Sequence, residues 1–551
     1  MLPDHLFAAA ASLFEWKTFL LMFVGVSAGI LAGAIPGFTI VMGVVLVLPF
    51  TFGLSPIEGL ATMMGVLVGG LSGGLISGIL TGIPGTPSSV ATTFDGFPMA
   101  RSGRPGLALG IGVWSSFFGG VIGAILLAIL APQLSRIGLE FQPWDFFALI
   151  VFALTITVSL AGKNMIKGCI SGLLGLLVAT VGQDAINGVE RFTFGMGQLA
   201  GGFAFLPVLI GLFAFSQLLG DVRDREKARA PMTQSVDPKA LVIEHARAIV
   251  TILRDGVNLV RSSVIGVFIG VLPAAGTTVS NIIAYDQAKK ASRTPETFGT
   301  GNPQGIVASE AANNATMAGA LITMMALGIP GDTVTAVMIG ALMIHNVVPS
   351  PTFFLEAPVL AYSIIGSFFV CHFIMLFIQA FCLRGFVRVT RVAMYRLVAV
   401  VLVYCAIGVF ALNNIVSDLW VLFGFGVLGF AMRSFGFPLA PMILGVVLGP
   451  IGELYLARCL SLSSDLTLFV TRPWSLFFVI LAVFSIAFPW YQASRGRRRW
   501  TLVFMPALGV CLSLPLVMMG GDVRPLIGSG LFLLSLFALW RNLRGGVPES
   551  I

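Results

Sequence analysis

Helix-breaking residues recur in one arrangement, once in each half of this chain, inside stretches too apolar to be water-soluble loops. The first half carries Gly33-Ala-Ile-Pro-Gly37 and then Gly82-Ile-Pro-Gly-Thr-Pro-Ser-Ser89; the second carries Gly270-Val-Leu-Pro-Ala-Ala-Gly276 and then Gly328-Ile-Pro-Gly-Asp-Thr-Val-Thr335. Proline removes a backbone donor and clashes with the preceding turn, and glycine admits conformations closed to other residues. At membrane depth such breaks are tolerated only where the freed backbone groups face protein or a water-filled cavity. A duplicated pair of interrupted apolar segments therefore points to the binding site of a secondary transporter.

The solvent follows from composition. Hydrophobic residues make up 57% of the chain and charged residues 10%, far below the roughly 25% charge of soluble domains. Apolar segments long enough for a bilayer recur from 18–34 through 525–541. The expected fold is an all-α polytopic integral membrane protein with two inverted repeats of broken or re-entrant helices. The first apolar segment lacks an Ala-x-Ala cleavage site and is expected to be retained.

The formal charge of +8 does not form a nucleic-acid face. Basic residues cluster at 223–254, at Arg384, Arg388, Arg391 and Arg396, and at Arg495, Arg497, Arg498 and Arg499; the positive-inside rule assigns all three clusters to the cytoplasm. The chain then divides into a first repeat half (1–221), a basic cytoplasmic linker (222–256), a second repeat half (257–473) and additional C-terminal transmembrane helices (474–551). Residues 240–253 have helical periodicity and suit a helix lying on the cytoplasmic membrane surface. Lys289, Lys290 and Arg293 stay inside if the chain turns back as a hairpin at 272–276.

Several polar residues are candidates for chemistry. After Gly85 a helix can restart at Pro87, capped by Thr86, and its exposed N–H groups with the Ser88 and Ser89 hydroxyls would form an anion site; a kinked helix packed by small residues is the alternative. Gly37 lies in the preceding break of that half. In the second half Gly331 and Thr333 stand beside Asp332, which either caps its helix or binds a coupling cation. Thr277, Thr278 and Asn281 follow the Pro273 break, and Asn313 and Asn314 share a helical face with Glu310. A carboxylate within an apolar segment is costly and marks a functional site, so Glu310 is the leading candidate for ion coupling, against an interfacial, solvated position. His345 and His372 lack ligand partners at metal spacing and read as packing or hydrogen-bonding residues. The six cysteines lack Cys-x-x-Cys spacing and read as small packing residues. No Walker run is present, which argues against an ATP-driven motor.

Residues 82–100, Gly33–Gly37, Ala308-Ser-Glu-Ala-Ala-Asn-Asn-Ala315 and Leu327-Gly-Ile-Pro-Gly331 resemble the large permease subunit of the tripartite tricarboxylate transporters over about 15–475. The resemblance implies a bacterial inner-membrane protein, not an enzyme. It would work with a small four-helix membrane subunit and a periplasmic binding protein that delivers a small organic carboxylate. Uptake would be driven by a Na+ or H+ gradient, with no other cofactor and no metal centre. The chain departs from the family at 501–541, which adds two apolar segments, a contribution to or partial fusion with the small subunit. An anion channel and a membrane-embedded enzyme are the competing readings: the first needs a continuous polar lining, the second convergent acid–base residues.

Overall fold

The computed structural model describes residues 2–35, 38–160, 165–184, 188–216, 219–220, 238–273, 275–389, 402–403, 405–410, 414–494, 498–521 and 523–545. Most of them are helical. The main helices are α1 (Leu2–Phe14), α2 (Trp16–Ala34), α3 (Ile40–Thr51), α4 (Pro56–Thr81), α5 (Val90–Arg101), α6 (Pro105–Gly138), α7 (Pro143–Leu160), α8 (Met165–Ala179), α9 (Phe205–Ile210) and α10 (Pro238–Arg254). They continue as α11 (Gly256–Val271), α12 (Gly276–Ala291), α13 (Pro303–Leu327), α14 (Thr333–Ile344), α15 (Pro358–Val389), α16 (Ser417–Ser434), α17 (Leu439–Leu462), α18 (Pro473–Ser494), α19 (Thr501–Met518) and α20 (Val523–Gly545). One antiparallel ribbon pairs Gly182 with Arg191. Among the described residues eight helices are long and apolar enough to cross a membrane, as expected of an all-α polytopic protein.

Contacts gather the chain into two units, Met1–Leu139 with Ala204–Ser434, and Glu140–Phe203 with Phe435–Ile551. The first unit is held by glycine. Without a strong hydrophobic drive between helices in lipid, close backbone approach through small residues supplies the packing. On α2, a Cβ at Gly29 would run into the Val66 carbonyl of α4, and one at Gly33 into that of Gly70; from the other side, Gly73 abuts the Ile30 carbonyl. On α11, Gly266 sits against the Ala312 carbonyl of α13 and Gly270 against that of Thr316, while Gly319 abuts the Val267 carbonyl. Helix α6 joins the same cluster, with Gly119 against the backbone of Ala311 and a Cβ position at Gly123 3.0 Å from the Ala315 Cα.

Helix α11 stops at Val271 and α12 restarts at Gly276, whose φ of +64° suits glycine. The two helices return to one end. Asn258, in the first turn of α11, donates to the Gln304 carbonyl (3.0 Å), and Ser292, just past α12, donates to Gln304 Oε1 (2.7 Å). The two helices thus form a hairpin that keeps Lys289, Lys290 and Arg293 at the end where α11 begins.

Helix α10, expected on a cytoplasmic membrane surface, packs one face against α6. Ala248 and Ile252 are buried, and Ala248 packs 3.1 Å from a Cβ position at Gly110 of α6, with Glu244 over Gly106. Two α6 glycines open a groove for it, while Val250 and Leu253 stay exposed. The linker residues 222–237 lie outside the described residues.

In the second unit Arg472 bonds Asp145 (Nη2–Oδ2 3.1 Å), whose side chain is fully buried, and its guanidinium stands 5.6 Å over the Trp144 ring. Arg191 pairs with Glu453 at 2.5 Å. Helices α19 and α20 pack side by side, with Ser535 filling the space at Gly509 and Asn542 donating to the Leu502 carbonyl (2.9 Å).

Candidate functional site

Helix α4 ends at Gly82, whose left-handed backbone (φ +75°) lets its N–H reach the Gly78 carbonyl. The chain then folds back along the helix it has left. Gly85 N–H bonds the Gly74 carbonyl at 3.3 Å, and Gly85 lies so close to the Gly33 carbonyl and the Ser77 hydroxyl that no side chain fits. Pro87 opens a short 3-10 turn that leads into α5. Thr86, Ser88 and Ser89 are buried there, and their hydroxyls meet at 2.8 Å (Thr86–Ser88) and 3.1 Å (Thr86–Ser89).

The second break also opens on a left-handed glycine and has a different cap. Gly328 (φ +70°) ends α13, and Gly331 lies 2.5 Å from the Ala320 Cα and 2.7 Å from the Gly270 carbonyl as measured from a Cβ position. Asp332 Oδ1 then accepts from the Thr335 N–H (2.9 Å) and hydroxyl (2.8 Å), while the Asp332 N–H donates to Thr335 Oγ1 (3.0 Å). That reciprocal arrangement is a capping box. We expect Asp332→Ala to cost about 1 kcal/mol, the usual scale of a lost cap, and Asp332→Asn less; thermal melts of the purified variants check this.

Glu310 is fully buried. Its carboxylate joins three helices: Thr92 of α5 donates to Oε1 at 2.5 Å and Ser116 of α6 donates to Oε2 at 2.8 Å. Neither partner carries charge. Asn313 donates to the Leu71 carbonyl of α4 (3.3 Å), and Asn314 to the Glu310 carbonyl one turn back (3.2 Å). Asn281 of α12 donates to the Ser88 carbonyl, so the helix that follows the Pro273 break meets the Pro87 turn through this amide. Thr316 donates to Ser280 (2.6 Å) and fixes α12 against α13 at that level.

Thr277, Thr278 and Thr333 stand half-buried in the first turns of α12 and α14; Gly37 lies outside the described residues. His372 donates its Nδ1–H to the Phe368 carbonyl (2.7 Å), and its ring fills the space left by Gly120. His345 caps α14 and is half-buried near Gly59. Among the described residues no three His, Cys, Asp or Glu side chains gather as a metal site, and Cys169, Cys371, Cys405, Cys459 and Cys511 are free thiols.

Sequence reasoning missed Ser116 and Asp95. Asp95 is fully buried: its Oδ1 accepts from the N–H groups of Gly299 (2.8 Å), Gly301 (2.8 Å) and Asn302 (2.7 Å), and its Oδ2 from the Tyr285 hydroxyl (2.8 Å). It ties α5 to the turn before α13. The signal for Ser116 was the Ser115-Ser116 pair in an otherwise apolar segment; Asp95 lay unremarked within the long motif of the first half.

Helices of membrane length, two interrupted apolar segments and a buried carboxylate held by hydroxyls define a polytopic membrane transport protein. A profile of the tripartite tricarboxylate transporter TctA family matches residues 19–444. The chain belongs to that family, and is thus a transporter membrane subunit and not an enzyme. It is 33% identical over 452 residues, 82% of its length and 89% of the relative's, to an uncharacterised 52.8 kDa protein in the TAR-I ttuC′ 3′ region of Agrobacterium vitis. A second uncharacterised protein, in the TAR-II ttuC′ 3′ region of the same organism, is 31% identical over 209 residues, 38% of this chain and 86% of that protein. No solved structure matches the chain.

Proposed function

We propose that this chain is the membrane permease of an ion-gradient-driven uptake system for a tricarboxylate- or dicarboxylate-type anion in a bacterial inner membrane. A periplasmic binding protein delivers the anion, and a small four-helix membrane subunit completes the complex. The observation that carries the reading is Glu310, a buried carboxylate without a cationic partner among its hydrogen bonds, placed between α5, α6 and α13 beside an interrupted helix. Such a group can alternate between a charged form and one neutralised by Na+ or H+. The anion would be met by the N–H groups and hydroxyls at the start of the Pro87 turn, with Thr86, Ser88 and Ser89, and by Gly331, Thr333, Thr277 and Thr278 across the second break.

Two halves of opposite orientation, 1–221 and 257–473, fit this mechanism. In support, residues of α2 and α11 correspond by adding 237 (29 to 266, 30 to 267, 33 to 270), and those of α4 and α13 by adding 246 (66 to 312, 70 to 316, 73 to 319), an offset that the breaks after them keep (85 to 331). The close approaches of one half recur in the other at those positions. Opposite orientation is supported by the helix ends: the start of α13 lies by Asp95 and Met99, beyond the end of α4, whereas the start of α4 lies by His345, beyond the end of α13.

The test is uptake. Proteoliposomes containing this chain and the small subunit, supplied with the binding protein loaded with radiolabelled tricarboxylate, should accumulate label when an inward Na+ or H+ gradient is imposed. Accumulation that persists without either gradient would overturn the coupling, and none under any condition would overturn the substrate class.

A further inference from the structure

Helices α18, α19 and α20, which follow the residues matched by the family, gather their positive charge at one end. Phe484 of α18 meets Phe504 of α19 (ring centroids 5.2 Å apart) and Tyr491 meets Trp500 (6.3 Å), so these two helices run antiparallel. Helix α20 returns along α19, with Ser535 at Gly509 and Asn542 at the Leu502 carbonyl. The end of α18, the start of α19 and the end of α20 therefore lie together. In sequence, Arg495, Arg497, Arg498 and Arg499 fall between α18 and α19, and Arg541 and Arg544 fall near the end of α20. Residues 473–545 contain a single acidic residue, Asp522, which the sequence puts in the other connection, between α19 and α20.

Arg498, Arg499, Arg541 and Arg544 are exposed, and among the described residues none of the four is in an ion pair. Arg544 lies over the Trp540 ring at 4.1 Å. Beside this basic end an apolar groove opens. Val483, Phe484 and Ala487 of α18 face Trp500, Phe504 and Ala507 of α19 around a volume of about 470 Å³, within the roughly 300–1,000 Å³ of small-molecule sites. The alanines leave the space and the rings wall it; Tyr491, stacked on Phe504 at 4.6 Å, braces that wall. Trp500 directly follows Arg499, so the groove and the basic end are continuous.

Both helices are long and apolar enough to cross a membrane, so the groove faces hydrocarbon while its basic end reaches the headgroups. One molecule matches both halves. We propose that the groove between α18 and α19 holds an acyl chain of an anionic phospholipid whose phosphate is met by Arg498 and Arg499, with Arg541 and Arg544 adding to the positive field. A guanidinium bonds phosphate through two parallel N–H donors. Basic clusters on the cytoplasmic face, where the positive-inside rule assigns Arg495–Arg499, draw anionic lipids. A zwitterionic lipid fits the groove as well but offsets its phosphate with its own cation, so the arginines supply the discrimination. The inference is independent of the transported substrate and of Glu310.

Fluorescence quenching at Trp500, which is 38% exposed, tests the site. The full-length chain is placed in phosphatidylcholine nanodiscs with increasing fractions of phosphatidylglycerol or phosphatidylcholine brominated on the acyl chain. The Trp500 signal is the difference between each protein and its Trp500→Phe counterpart. Brominated phosphatidylglycerol should half-quench that signal at a mole fraction about tenfold lower than brominated phosphatidylcholine, and Arg498→Gln with Arg499→Gln should remove the preference. Ala507→Phe, which fills the groove and leaves the charge, should weaken quenching by both lipids. Melting temperatures in phosphatidylcholine alone, within a few degrees of the parent, show that the variants fold; the exposed arginine pair decides the matter if Ala507→Phe does not. Equal quenching of the parent by the two brominated lipids, or a preference that survives loss of both arginines, overturns the proposal. So does quenching that disappears when the small membrane subunit is reconstituted alongside, which would give the groove to that subunit.

Discussion

Glu310→Gln should reduce gradient-driven accumulation to background while leaving the protein folded in the membrane. The substitution keeps the side chain's size, and the Thr92 and Ser116 hydroxyls that now donate to it at 2.5 and 2.8 Å can still bond an amide by rotating one hydroxyl to accept. What is lost is the ability to carry a negative charge in one state and lose it in another. Exchange of labelled for unlabelled substrate across proteoliposomes, which needs no net coupling, should be spared more than accumulation. The measurement is initial uptake with and without the imposed gradient, beside the exchange rate in the same vesicles. Accumulation equal to the parent's would remove Glu310 from coupling altogether. Equal partial losses of accumulation and exchange would instead mark it as a packing residue.

Asp95→Ala is expected to be the most destabilising single change among the site residues. It strands the N–H groups of Gly299, Gly301 and Asn302 and the hydroxyl of Tyr285, all of which now converge on one buried carboxylate. An unpaired buried donor costs about 1–3 kcal/mol; with Asn302 buried, Gly301 and Tyr285 half-buried and Gly299 exposed to water, the loss is expected at about 3 kcal/mol, against a typical total stability of about 5–15 kcal/mol. Tyr285→Phe, which deletes one donor together with its need for a partner, should cost about 1 kcal/mol. Fluorescence-detected size-exclusion of detergent extracts, followed by thermal melts, ranks the variants. An Asp95→Ala protein as abundant and as stable as Tyr285→Phe would show that the turn at 299–302 does not depend on this carboxylate.

The two carboxylates also show where sequence reasoning reaches its limit. Glu310 was legible because a charged residue inside a long apolar segment is anomalous under any fold. Asp95 was not, since it sits in a stretch already rich in polar residues, and its partners lie 204 to 207 residues away for the backbone N–H groups. Asp332 could be read from sequence as either a cap or an ion ligand. Its geometry is a cap, with Thr335 three residues on completing the box, a local relation that spacing permits but does not select over a tertiary one.

Local chemistry is what the sequence by itself determined. It set the membrane as solvent through the scarcity of charge, the interruption of helices at Gly82–Pro87 and Gly328–Gly331 through the backbone limits of proline and glycine, and the cost of burying Glu310. Only the tertiary structure decided which hydroxyls answer that carboxylate, Thr92 and Ser116, 218 and 194 residues distant in the chain. The reason is physical: solvent preference and helix breaking are properties of short segments, whereas the partner of a buried polar group depends on which helix glycine allows to come close.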